Sequence, residues 1–144
     1  MPHGFLRASD GTFTTFDPPG SVSSTGAFSI NPAGAITGSY ADASGTDHGF
    51  LRARDGTFTT FDVPGSIGTF PGSINPAGAI TGSYADASRT DHGFLRACDG
   101  TFTTFDPPGA FLVIAPSNIN PAGAITGYYV DANYVSHSFL RGGQ

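Results

Sequence analysis

The chain has 144 residues, the length of one ordinary domain and enough to bury a real core. Charged residues make up only 12%, all six basic residues are Arg, all eleven acidic ones are Asp, and 21 Gly and 11 Pro exceed a fifth of the chain. Lacking Lys and Glu, the best helix formers for solvent faces, it is not a helical protein, and its 13 Phe and 5 Tyr supply the apolar area that disordered chains lack. A net charge of −5 and a pI near 4.9 offer no electrostatic footprint for nucleic acid. No apolar run approaches the ~18–20 residues of a membrane-spanning helix. Met1-Pro2-His3-Gly4 opens no charged-then-apolar signal segment, which fits either a mature secreted domain or a protein that stays inside. One cysteine, Cys98, excludes an intrachain disulfide framework and a cysteine-based zinc cage.

Taken in chain order, the elements repeat. His3-Gly-Phe-Leu-Arg-Ala returns at His48 and His92 and in part as His137-Ser-Phe-Leu-Arg141, at spacings of 45, 44 and 45 residues. The phrase Asp-Gly-Thr-Phe-Thr-Thr-Phe-Asp follows at Asp10–Asp17, Asp55–Asp62 and Asp99–Asp106. Ile-Asn-Pro-Ala-Gly-Ala-Ile-Thr-Gly follows in turn at Ile30–Gly38, Ile74–Gly82 and Ile119–Gly127.

Within one unit, His48–Ala53 is extended, with Phe50 and Arg52 on one face and Leu51 and Ala53 on the other. Asp55-Gly56 turns the chain, because Gly takes positive φ at no steric cost. Thr57–Asp62 is a second, Thr/Phe-rich strand, stopped by Val63-Pro64-Gly65. The stretches that drift between copies, Ser21–Ser29, Ser66–Ser73 and Ala110–Asn118, read as connecting loops, with a short strand ending at Ile74. Asn75-Pro76-Ala77-Gly78 makes a turn, Ala79–Asp86 is a strand, and the polar turn Ala87–Asp91 leads into the next unit.

Four short antiparallel strands per unit predict an all-β protein built of β-propeller blades. The single repeat domain 1–144 divides into units 3–47, 48–91 and 92–136 plus a partial closing strand, 137–141. In blade order the chain opens with a third and fourth strand, continues through two complete blades and closes with a first, second and third. Three blades fall short of the usual four to eight, so the propeller reading implies a homo-oligomer, most simply two chains making six blades. The alternative is a β-trefoil, three four-stranded lobes closed in one monomer.

The three repeated phrases resemble the bacterial HAF-type extracellular repeat family, whose units carry a His-aromatic-Phe-Leu strand and an Ile-Asn-x-x-Gly-x-Ile-x-Gly strand. The likeness covers essentially the whole chain, with Gly4, Gly49 and Gly93 standing where those repeats often have Ala. It implies a secreted or cell-surface β-propeller-like array and carries no catalytic residue set.

Chemistry is sparser than architecture. The steps Asp47-His48 and Asp91-His92 raise a metal-ligand or general-base role for each His, its neighbouring Asp orienting it. Four equivalent His read more simply as scaffold. Asp42 with Asp47 and Asp86 with Asp91 are calcium candidates, two carboxylates on one loop, but without EF-hand spacing or any Glu. Asp17, Asp62 and Asp106 end their strands and could gather at one end of a ring as hydrolytic carboxylates, or else cap Asx turns. Cys98 stands where other units have Ser9 and Arg54, and reads as drift rather than a nucleophile. Arg7, Arg52, Arg96 and Arg141, with Tyr40, Tyr84 and Tyr129, are the binding candidates, since an Arg beside an aromatic ring suits a sugar or a protein anchor. The expected function is a non-enzymatic module for recognition or self-assembly, with carbohydrate or surface-protein binding as the leading reading, a glycan or surface protein as partner and no cofactor. The alternatives are a propeller-type glycoside hydrolase or lyase, and a purely structural self-assembling or engineered repeat fragment.

Overall fold

A computed structural model describes residues 1–143, and every element in it is a β-strand. β1 (Gly4–Arg7) and β2 (Phe13–Phe16) form a two-stranded sheet. β3 (Ser24–Ile30), β4 (Ile36–Ala41), β5 (Asp47–Arg52) and β6 (Phe58–Phe61) form a four-stranded meander. A second meander follows with β7 (Ser66–Ile74), β8 (Ile80–Asp86), β9 (Asp91–Arg96) and β10 (Phe102–Phe105). β11 (Val113–Ile119), β12 (Ile125–Val130) and β13 (Ser136–Arg141) close the chain as a three-stranded sheet. All pairings are antiparallel and join consecutive strands, and among the described residues no strand pairs with another sheet as the closed barrel of a trefoil requires.

The drifting segments are largely strands, not loops: all of Ser66–Ser73 lies in β7, and most of Ser21–Ser29 and of Ala110–Asn118 lies in β3 and β11. Each of these first strands carries a bulge, between Ala27 and Ser29, Pro71 and Ser73, and Pro116 and Asn118. Proline is tolerated there because the ladder is already interrupted, so the alternating pattern that marks a strand is blurred. The bulge also fixes a residue opposite. A Cβ at Gly82 would fall 2.2 Å from the Phe70 carbonyl oxygen, and one at Gly127 would fall 2.2 Å from that of Ala115.

Sheets pack face to face, β7 against β3, β4 and β5, and β11 against β7, β8 and β9. The core therefore lies between units. Phe16 packs with Ile36, Tyr40 and Phe50, and one repeat later Phe61 and Val63 pack with Ile74, Ile80 and Phe94. Asn side chains tie the units as well. Asn31 Nδ2 donates to the Asn75 carbonyl and Asn75 Nδ2 to that of Asn120, both at 3.1 Å, while each Asn Oδ1 accepts from the backbone four residues on.

Candidate functional site

The recurring histidines are clamped between two aspartates. His48 is the second residue of β5, and its Nδ1 lies 2.9 Å from Asp62 just after β6 while its Nε2 lies 3.1 Å from Asp42 in the β4–β5 turn. His92 repeats this, with Nδ1 2.8 Å from Asp106 and Nε2 3.0 Å from Asp86. A tyrosine of the second strand lies against each ring: Tyr40 on His48 with centroids 5.3 Å apart, and Tyr84 on His92 at 5.2 Å. Each clasp pins the second, third and fourth strands of its sheet at one end.

At the two ends of the chain the clasp is half-built. His3 Nδ1 meets Asp17 at 2.6 Å, with no carboxylate at Nε2 among the described residues. His137 has the complementary half, Nε2 to Asp131 at 2.9 Å under Tyr129 at 5.1 Å, and no carboxylate at Nδ1 among the described residues.

Ionised carboxylates only accept, so a ring bonded to one through each nitrogen must donate twice, which is the imidazolium form. Burial alone would lower the His48 pKa, but the hydrogen bonds to Asp42 and Asp62 outweigh it and hold it above the ordinary value. For His92 the bond to Asp86 dominates, burial opposes it, Asp106 adds to it, and the net shift is again upward. The turn aspartates are held low in return. Asp42 is lowered by the Ser44 hydroxyl, then by His48 and the Thr46 N–H. Asp86 and Asp131 are lowered first by their His and then by the backbone N–H of Thr90 and Val135.

The orienting carboxylates are not the adjacent Asp47 and Asp91 but those six residues before and fourteen after each His. Asp17, Asp62 and Asp106 are thus histidine partners, and not the caps of Asx turns. Of the calcium candidates, Asp42 and Asp86 spend Oδ1 on backbone N–H groups and Oδ2 on a histidine, while Asp47 and Asp91 sit at strand starts opposite Ala41 and Ala85. Among the described residues no group of three or more His, Cys, Asp or Glu is placed to hold a metal ion. Burial pushes the Asp91 carboxyl up.

Arg52 lies 4.9 Å over the ring of Phe16, Arg96 4.9 Å over Phe61, and Arg141 5.2 Å over Phe105, each reaching the preceding unit. Arg7 lies 6.0 Å over Phe13 of its own sheet. Among the described residues the ion pairs are all His–Asp, so these guanidinium groups act through their faces rather than as salt-bridge partners. Arg52 Nε and Nη1 and Arg96 Nε are buried without a hydrogen-bond partner. The three Tyr cover histidines. Cys98 is exposed.

This repeated stack of four-strand meanders has a solved counterpart. The structure described as "Streptogramin B lyase structure" matches 95% of this chain and 47% of its own with a TM-score of 0.53, at 15% sequence identity. The fold is β-propeller-like. The chain spans about half the length of that relative, and the likeness is one of fold. No family model matches the chain, and no curated protein matches it. Among the described residues no helix is long and apolar enough to cross a membrane.

Proposed function

We propose that this chain is a non-enzymatic self-assembly module of propeller-like blades, most simply two copies making six blades. The half-built clasps carry this reading. One end offers a histidine bonded through Nδ1 and the other a turn aspartate already placed for an Nε2, and the inner units combine both in one sheet. Exposure supports it too, since the ends leave open what the inner units cover. Phe5 is 60% exposed where Phe50 and Phe94 are fully buried, and Ile30 is 54% exposed where Ile74 is 5%. The clasps themselves are poor candidates for catalysis, because both ring nitrogens and the facing carboxylate oxygens of the inner sets are engaged with each other. The resemblance to HAF-type arrays supports a setting outside the cell.

Light scattering on a sizing column tests the reading. The expected mass is twice the 14.7 kDa of one chain. A single-chain mass at every concentration would contradict assembly. Turnover of a chromogenic glycoside that is lost in Asp62→Asn would contradict the non-enzymatic part.

A further inference from the structure

Besides the clasps, one more feature recurs in every unit, and it is apolar. Val22, Ile67 and Phe111 each stand two residues after a glycine of the crossing between sheets, Gly20, Gly65 and Gly109, whose φ lies between 80° and 88°. The same turn sets each one, with Ser21 N donating to Pro18 O, Ser66 N to Val63 O and Ala110 N to Pro107 O. The three side chains are 55%, 47% and 62% exposed. Ile67 has a unit packed on either side of its own, so this exposure does not come from an open end of the chain.

Each of them stands where a first strand begins. Val22 N donates to Ala41 O and Phe111 N to Val130 O, while Ile67 is a bulge opposite Ala85 and Asp86. An apolar side chain therefore lies beside each turn aspartate of the clasps, Asp42, Asp86 and Asp131. Because β3 packs on β7 and β7 on β11, the three form an arc along the inner side of the stack. Leu112 widens the arc in the last unit, and the Phe70 ring lies over Gly68, next to Ile67. Apolar surface left open and rimmed by polar groups marks a docking face.

The rim here is acidic. The six clasp aspartates, with Asp47 and Asp91, put eight of the eleven carboxylates at this end of the sheets. Among the described residues they face only the four histidines and Arg89, so this end stays negative even with every histidine protonated. The opposite end has Asp10, Asp55 and Asp99 against the other five arginines.

We propose that the clasp end of the stack docks a basic polypeptide segment, whose apolar side chains, set between Lys or Arg, settle on Val22, Ile67 and Phe111. Charge selects the sign of the partner. Spacing selects a polypeptide, because the apolar points come one per unit with a carboxylate beside each. A chain of mixed side chains can match that pattern, whereas the continuous apolar face of a lipid layer cannot.

A fluorescein-labelled synthetic peptide with phenylalanines separated by Lys-Gly pairs, followed by anisotropy, tests this. It should bind, and loosen several-fold between about 0.05 and 0.3 M salt as the rim is screened. Binding should fall at least about tenfold in Ile67→Ser/Phe111→Ser and stay unchanged in Phe13→Ser, a site as exposed as Phe111 but at the opposite end. Amide NMR shifts on titration of the unaltered chain should gather at 20–23, 65–68 and 109–112 and spare the Asn-Pro-Ala-Gly turns, a result that holds even if the double variant unfolds. No binding, shifts gathered elsewhere, or equal binding of peptides with Glu for Lys or Ser for Phe would overturn the docking site. A mass that rises with concentration only while Ile67 and Phe111 are intact would overturn it too, by naming a second copy as the occupant. Docking does not depend on self-assembly, so a single-chain mass would remove the one and leave the other.

Discussion

The inner repeats and the two terminal half-repeats share nearly the same sequence but do not share an environment. His48 and His92 are each held by two aspartates and covered by a tyrosine, with side chains 22% exposed, whereas His3 is 52% and His137 41% exposed with one aspartate each. The same holds for the aromatic rings. Phe50 and Phe94 are sealed between sheets, and Phe5, in the same phrase, faces an open cavity. In a repeat protein a residue's worth is therefore set by the neighbouring unit rather than by its own, since each unit buries its face only against the next.

The largest effect separates these environments most sharply. Phe94→Ala is expected to cost about 3–5 kcal/mol by denaturant unfolding, as for other fully buried aromatics, and Phe5→Ala less than about 0.5 kcal/mol in the unassembled chain. Equal losses at the two positions would break the comparison. Next come the arginines. Arg52→Ala removes a guanidinium stacked on the preceding unit and should cost about 1–2 kcal/mol, against about 0.5 kcal/mol or less for Arg7→Ala, whose ring contact is longer and within its own sheet. The histidines differ similarly but less, because water reaches their carboxylates. His48→Asn should cost about 1 kcal/mol and His137→Asn a few tenths, roughly the range of partly solvated pairs.

Stability should follow pH with a defined sign. His48 and His92 have raised pKa values in the folded chain, so their contribution is complete below the unfolded value of about 6.5 and is lost as pH rises through the folded one. Asp42, Asp86 and Asp131 are lowered, so theirs is complete above about 3.9 and is lost as pH falls toward the folded values. Thermal melts should be highest between about pH 4 and 6.5, and the double variant His48→Asn/His92→Asn should lose the decline on the alkaline side. A variant that keeps that decline would place its origin outside the clasps.

Much of this fold is legible in the sequence because the turns are written in local chemistry. The Asp-Gly pairs at Gly11, Gly56 and Gly100 take φ near +90°, and Asn31, Asn75 and Asn120 open the turns that end each first strand. The partition into a third and fourth strand, two full sheets and a last sheet of three is readable from the order of the phrases alone. The first strands are not, because bulges and Pro71 and Pro116 erase their alternation. The clasp is hidden for another reason. Adjacent residues in a strand point to opposite faces, so Asp47 cannot orient His48, and the true partners come through a turn and from the far end of a hairpin. The signal was the constant spacing, an aspartate six before His48, His92 and His137 and fourteen after His3, His48 and His92.

The inner histidines are doubly donating imidazolium groups held between carboxylates. Long-range proton–nitrogen NMR of the labelled imidazoles, titrated against pH, reads this directly. Through that titration, both ring nitrogens of His48 and of His92 are expected to keep their protons to a higher pH than a free imidazole does. A ring at either position that loses its proton at or below the pH at which a free imidazole does would contradict the clasp.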